Sequence, residues 1–346
     1  MGRAASKART ASDGGACRRP LRFGDNPGRI PHPSRGGCSR LISLRNASRW
    51  YGQVIGINDI TADLPPGLTA LLGPNGAGKS TLIKLITGIL RPTTGSVLVF
   101  GERPFANTKV YRRLGYCPEI DGLYESMTGR EFVTAMAAVS GLKGALLRKK
   151  VDEAISLVGM EAAASRVIGG YSKGMKQRIK LAQAIVHDPD VLVLDEPLSG
   201  LDPIGRRDMT NLICSLAQQG KCIVVSSHIL HEVEQMTSNI LLLYRGRLLA
   251  SGDVYHIRSL IDKHPHRVQI ETSEPRLLAA ELMRFPHVVS VRFSDGSPNQ
   301  VEVETKNPEA FYSQLPDVVL EGDFEITAFE SLDNNLEAVF RYLTEG

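Results

Sequence analysis

Three groups of residues have types and spacing that suit chemistry. The first is Gly73-Pro74-Asn75-Gly76-Ala77-Gly78 with Lys79, Ser80 and Thr81, a complete G-x-x-x-x-G-K-[ST] pattern. Glycines let successive backbone N–H groups turn inward as an anion nest, and a helix start adds partial positive charge. A lysine placed there reaches β- and γ-phosphates, and the serine hydroxyl can ligate Mg²⁺. The second group is Asp195-Glu196, at the end of the apolar run Val191–Leu194. Adjacent carboxylates at a buried strand end are costly unless a cation or water network uses them. Beside a phosphate loop, Asp195 is expected to help hold the metal, directly or through water, and Glu196 to polarise an attacking water. The plain alternative is a solvated turn before Pro197. The third is His228, after Ser226-Ser227, placed to touch a γ-phosphate or bridge it to Glu196. By itself an isolated histidine is more often structural.

A fourth stretch, Gly170-Tyr171-Ser172-Lys173-Gly174-Met175-Lys176-Gln177-Arg178, opens a strong helix pattern. Ser172 suits the N-cap, and such a terminus is a second anion site. One triphosphate has one γ-phosphate, already assigned to Lys79. A second anion-binding helix end therefore suits a nucleotide held by another copy. Without that partner it is only a helix cap.

These groups need elements to position them. Leu68–Leu72 reads as a buried strand feeding the glycine loop, and LIKLITGIL as the helix after it. LISLRNASRWY and VIGINDITADL alternate like two strands joined near Gly52. SVLVFG, VYRRLGYCP, VLVLDE, KCIVVSSH and NILLLYRGRLLASG supply further strands. Between about 120 and 188 the chain is mostly helical: GREFVTAMAAVSGL, ALLRKKVDEAISLVGM and KGMKQRIKLAQAIVHD. Further helices are expected over about 203–219 and 229–237. The expected fold is α/β, a P-loop NTPase core with a mostly parallel sheet and an inserted helical subdomain. Ligands then sit beyond the C-terminal ends of the strands, where the phosphate loop, Asp195-Glu196 and His228 fall. Residues 251–267 read as a linker and 268–346 as a small α+β domain of βαββαβ order, with a turn at Asp295-Gly296 and a closing helix LDNNLEAVFRYL.

Composition excludes other classes. The 346 residues are 42% hydrophobic and 23% charged, ordinary for a chain with a large core. Net charge is +4, but residues 1–40 carry nine Lys or Arg against two Asp, so +7, which leaves −3 for the rest. No general nucleic-acid surface is expected. Five cysteines without C-x-x-C spacing point to a reducing compartment rather than a disulfide framework. No run of 18 apolar residues could cross a membrane. The basic stretch 1–40 lacks a secretory h-region. It is expected to be disordered and to lie upstream of the true start; a lipid-touching basic tail or a transit peptide are the alternatives.

Taken together, the motifs resemble the nucleotide-binding subunits of ATP-binding-cassette (ABC) transporters, and most closely the separate ATPase subunits of bacterial ABC-2 type exporters. The resemblance is strong over 41–250 and weaker beyond. It implies that Tyr51 stacks on adenine and that Gly73 to Thr81 hold the phosphates of ATP. It implies that YCPEIDGLY (116–124), with Glu119, senses the γ-phosphate and faces the membrane subunit. YSKGM (171–175) matches the signature, so Ser172 and Gly174 would contact nucleotide across a dimer. Asp195, with Ser80 and Glu119, would attend Mg²⁺. Glu196 would act as general base, SGLDP with Asp202 would cross the dimer interface, and His228 would be the switch histidine. Two departures stand out: Glu119 replaces the usual glutamine, and YSKGM replaces LSGGQ. A carboxylate cannot donate as an amide does, and it adds negative charge near the triphosphate.

The resemblance thus implies an ATP-hydrolysing exporter motor, peripheral on the cytoplasmic face of the inner membrane. It would pair with a second copy or a homologous ATPase subunit and drive separate multispanning permease subunits, with no nucleic acid. The alternative is a soluble ABC ATPase of translation or antibiotic resistance; such proteins usually carry two cassettes, and one phosphate loop is found. A DNA-repair ATPase would need a long coiled coil between the motifs, and the 79-to-195 segment has no heptads. Deleting residues 1–40 is expected to leave circular dichroism and phosphate release unchanged; loss of soluble protein would overturn the start-site expectation.

Overall fold

A computed structural model describes residues 41–120, 122–254, 257, 265–293 and 297–332. The stretch 1–40, Asp121, most of the 251–267 segment, the Asp295-Gly296 turn and the last expected helix lie outside the described residues.

Two sheets form the first part of the chain. Strands β1 (Ile42–Tyr51), β2 (Val54–Leu64) and β4 (Thr94–Val99) make an antiparallel sheet in the order β2-β1-β4. The six-stranded sheet contains β3 (Gly67–Leu72), β5 (Leu114–Cys117), β6 (Val191–Asp195), β7 (Cys222–Ser227), β8 (Asn239–Tyr244) and β9 (Arg247–Asp253). Its order is β5-β6-β7-β3-β8-β9, parallel except for the last pair. Strands β1, β2 and β4 thus form a sheet separate from the mostly parallel one, which alternation in sequence cannot reveal.

The parallel strands are apolar throughout because both faces are covered. On β6, Leu192 and Leu194 join one core cluster while Val191 and Val193 join the other. The first cluster packs the sheet against α3 (Gly129–Val139), α4 (Gly144–Leu157), α5 (Lys173–Ile185) and α6 (Pro203–Gln218). The second packs it against α1 (Lys79–Ile86) and the antiparallel sheet. A reciprocal capping box starts α3: Glu131 N–H donates to Thr128 Oγ1 at 3.2 Å, and Thr128 N–H to Glu131 Oε2 at 2.8 Å. A short α2 (Thr108–Tyr111), N-capped by Asn107, was not expected, since four residues show no periodicity. The five-residue α7 (Leu230–Glu234) is shorter than expected.

The helix α5 reaches the sheet edge closely. A Cβ built on Gly115 of β5 would stand 2.1 Å from the Ala184 carbonyl oxygen and 2.8 Å from Leu192 Cδ2. Glycine is therefore required by space, not by backbone conformation.

The C-terminal unit is a four-stranded antiparallel sheet, β10 (His266–Thr272), β11 (Val288–Phe293), β12 (Gln300–Thr305) and β13 (Ile326–Ser331), in the order β11-β12-β10-β13. Helices α8 (Pro275–Leu282) and α9 (Pro308–Glu321) supply the interleaved elements of the βαββαβ order. Alternate residues Val268, Ile270, Val301 and Val303 pack with Leu278, Leu282, Phe311 and Leu315. Two boundaries differ from expectation. Ser251–Asp253 belong to β9, and His266–Arg267 to β10, so both ends of the expected linker are strand. Helix α9 continues past Pro316 at the cost of one intrahelical bond.

Replacing Gly115 with Ala should overpack the seat of α5 and lower stability by about 1–3 kcal/mol. Urea unfolding measures this; an unchanged midpoint would contradict the close approach of α5 to β5.

Candidate ATP site

The four strands β5, β6, β7 and β3 are neighbours in the sheet, and each delivers a candidate residue from its C-terminal end. They deliver Glu119, Asp195-Glu196, His228 and the phosphate loop in turn. One cleft of about 410 Å³ is lined by Tyr51, Gly56, Pro74, Asn75, Gly76, Gly78, Lys79, Ser80, Thr81, Glu119, Asp195, Glu196 and His228, with Val54 and Ile55 at its rim. Twelve of the seventeen residues expected at the nucleotide line this cleft; Gly73, Ala77, Ser172, Gly174 and Asp202 do not.

The loop geometry explains its glycines. Gly73, Gly76 and Gly78 have φ of 148°, 80° and 106°. A Cβ on Gly73 would stand 2.3 Å from the Leu243 carbonyl oxygen, and one on Gly78 2.6 Å from that of Gly56. Gly76 has open space around it, so only its backbone conformation demands glycine. Ala77 is buried and lines no part of the cleft; its carbonyl accepts from Gly246 N–H at 3.0 Å, and it anchors the loop. Gly73 likewise lies beneath the cleft wall, and its carbonyl accepts from the buried Lys79 Nζ at 2.6 Å. Lys79 therefore folds across the mouth of the loop. Burial lowers its pKa, while Glu196, Asp195 and Glu119 act in the opposite sense.

The acids are held from behind by Ser226. Its hydroxyl donates to Asp195 Oδ1 at 2.5 Å and accepts from Glu196 N–H at 2.9 Å. Burial raises the pKa of Asp195, opposed by the Ser226 hydrogen bond, and Glu119 adds to the rise. Glu196 sits in a left-handed conformation, φ 49°, which turns its side chain out of the strand direction. Its Oε2 lies 3.0 Å from His228 Nδ1. Burial raises its pKa too, against the pull of His228 and Lys79. A carboxylate made more basic by burial and aligned by an imidazole is suited to accept a proton from water. Sequence reasoning missed Ser226, although a serine pair in an otherwise apolar strand was the available signal.

Tyr51 is 42% exposed and stands at the rim. Its ring lies over Gly56, where an added Cβ would come within 2.8 Å of Tyr51 Cε2. The Arg49 guanidinium is 5.1 Å from the ring centroid and steadies it. Trp50, equally open to a base-stacking role from sequence, does not line the cleft.

Ser172, Gly174 and Asp202 do not reach this cleft. Ser172 N-caps α5, its Oγ accepting from Met175 N–H at 3.2 Å. Gly174 adjoins Leu201 and Gly200, and the Lys173 side chain lies over Gly200. Asp202 N-caps α6, its Oδ1 accepting from Gly205 N–H at 3.3 Å. The signature stretch and the SGLDP loop therefore form one separate patch.

The profile of the ABC transporter family matches residues 57–199. The chain is 35% identical over 272 residues to the uncharacterized ABC transporter ATP-binding protein YxlF of Bacillus subtilis, covering 78% of this chain and 88% of that protein. It is 36% identical over 278 residues to the Nod factor export ATP-binding protein I of Burkholderia pseudomallei, covering 79% of this chain and 89% of that one. A solved dimeric ATP-binding cassette in a post-hydrolysis state, bound to ADP and Pi, shares the fold with a TM-score of 0.57 at 22% identity, covering 62% of this chain and 98% of that one. With a phosphate loop, an acidic pair and a histidine gathered in one cleft, this chain belongs to the ABC transporter family as an ATP-binding, ATP-hydrolysing subunit.

Proposed function

We propose that the chain is the motor subunit of a membrane exporter, in which two copies face head-to-tail and enclose two ATP molecules. The observation that carries this reading is the division of the site. Phosphate loop, acids and His228 share one cleft, while Ser172, Gly174 and Asp202 stand on a separate patch of the same subunit. The capped N-terminus of α5 is an anion site that its own cleft does not use. A second copy, reversed, would bring it to the γ-phosphate.

In this reading Tyr51 stacks on the base, and Pro74, Asn75, Gly76 and Gly78 to Thr81 hold the phosphates, with Gly73 and Ala77 shaping the loop from beneath. Ser80, Asp195 and Glu119 offer the hard oxygen donors that Mg²⁺ prefers. Among the described residues no three His, Cys, Asp or Glu side chains are arranged to hold a metal by themselves, which suits an ion that arrives with the triphosphate. Bound there, Mg²⁺ would neutralise charge on the phosphates. Glu196 takes the proton of the attacking water, and His228 holds that carboxylate and faces the γ-phosphate.

No helix among the described residues is long and apolar enough to cross a membrane. The likeness to export ATP-binding proteins supports separate permease subunits as partners. A groove of about 410 Å³ between β5 and α3, lined by Tyr116, Leu123, Tyr124 and Phe132, suits an apolar helix of such a partner. Val139, 82% exposed, lines it as well. The subunit would then sit on the cytoplasmic face of the inner membrane. The Nod factor export relative supports the direction of transport.

Replacing Lys79 with Ala should lower ATP turnover by about 100-fold or more, since it removes the charge that meets the phosphates. Phosphate release measures this, and wild-type rates would sink the phosphate-loop assignment. Replacing Glu196 with Gln should trap an ATP-bound dimer, visible by light scattering with MgATP. A monomer under saturating nucleotide would count against the paired site.

A further inference from the structure

The edge of the main sheet is sealed by side chains rather than by another strand. Strand β5 ends the six-stranded order, so its outward carbonyls lack a strand partner among the described residues. Helix α5 supplies donors instead. Gln183 Nε2 donates to the Tyr116 carbonyl at 2.6 Å, and His187 Nε2, just past the helix, lies 3.1 Å from the Leu114 carbonyl oxygen. Higher on the same helix face, Lys180 Nζ donates to the Glu119 carbonyl at 2.8 Å. One turn nearer the N-terminus, Gln177 Nε2 reaches the Glu196 carbonyl at 3.4 Å.

The lower and upper halves of this ladder differ in what they hold. Leu114 and Tyr116 lie within β5, whose position is already fixed by pairing with β6. Glu119 lies beyond the strand, on a loop that sequence pairing does not fix. Its side chain lines the nucleotide cleft. The residue that holds its peptide is a lysine only 3% exposed. Lys180 thus brings a charged donor to the peptide of a cleft residue, whereas Gln183 and His187 meet only peptides of the strand. A charge-assisted bond to a carbonyl is stronger than a neutral one.

We infer that Lys180 is a positioning residue that ties the Glu119 loop to the signature helix, so that the two halves of the composite site move together. The inference rests on the paired-site reading above. Helix α5 carries Ser172 and Gly174 at one end and, six to eight residues on, the donor that sets where Glu119 stands. A shift of the helix toward a partner's nucleotide pulls the Glu119 peptide in its own cleft. The carboxylate at Glu119 then registers, through one hydrogen bond, whether the far end of α5 is engaged. Gln177 makes the matching connection to the Glu196 peptide.

The test compares Lys180→Met with Gln183→Met in the full chain. Both remove a side-chain bond from α5 to a backbone carbonyl, so both should lower thermal stability. Three quantities are read: affinity for a fluorescent ATP analogue, steady-state ATP turnover, and hydrogen–deuterium exchange of the Tyr116–Tyr124 peptide with and without MgATP. For Lys180→Met we expect affinity within about threefold of wild type, turnover lower by about 10- to 100-fold, and loss of the MgATP-induced protection of that peptide. For Gln183→Met we expect turnover and protection like wild type. Turnover and protection preserved in Lys180→Met, or lost equally in both variants, would overturn the inference and leave a purely structural lysine. Should Lys180→Met prove insoluble, Lys180→Gln, with a shorter donor, carries the same comparison: reduced turnover at retained affinity supports the inference, and wild-type turnover overturns it. Failure of the wild-type chain to bind the ATP analogue would instead overturn the paired ATP-site reading on which the inference rests.

Discussion

The register of four parallel strands is the constraint on which the site depends. Leu72 pairs with Ser227 and Asp195 with Ser226, so the phosphate loop, the acidic pair and His228 leave the sheet at one level. A shift of one residue would turn Asp195 from the cleft toward the apolar interior and carry Leu194 out. The apolar contacts on both faces hold the register. Val191 and Val193 pack on one side of β6 and Leu192 and Leu194 on the other, all fully buried. The hydrophobic core therefore decides where the carboxylates stand, and the glycine loop only has to follow.

Charge within the cleft is acidic on balance. Three carboxylates, Glu119, Asp195 and Glu196, surround the single buried Lys79. Burial alone drives Lys79 towards the neutral amine and Asp195 and Glu196 towards the neutral acid, and the lysine and these two carboxylates oppose that drift in one another. A triphosphate entering this cleft meets a net acidic wall, the setting in which the Mg²⁺ proposed above would neutralise charge. Glu119, where relatives of this type more often have an amide by the resemblance drawn from sequence, adds to that acidity.

Much of this was legible in the sequence, for identifiable reasons. The phosphate loop, the strand ends at Asp195 and His228, and the N-cap Ser172 follow from local pattern, and local pattern is what a sequence shows directly. The βαββαβ order of the C-terminal unit followed from period-two alternation broken by helical stretches. What stayed hidden depends on tertiary placement. Nothing in LISLRNASRWY says that it leaves the main sheet for a second one. Gln177, Lys180 and Gln183 read as the polar side of an ordinary amphipathic helix; only the edge position of β5 shows that they replace a strand. Ser226 was visible but unassigned, because its two partners meet it from the neighbouring strand.

The central claim is that each ATP site is built from two subunits, cleft residues from one and the α5 terminus from the other. Mixing two inactive variants tests it most directly. Lys79→Ala spoils the cleft and leaves the signature intact. Gly174→Asp places a negative charge against the phosphate and leaves the cleft intact, and an acid in the first turn suits the helix itself. Each variant alone should be nearly inactive. In an equal mixture half the pairs are mixed, and each mixed pair holds one complete site of two. Turnover should therefore recover to about a quarter of wild type if the sites act independently. A mixture no more active than the sum of its parts would contradict a site shared between subunits.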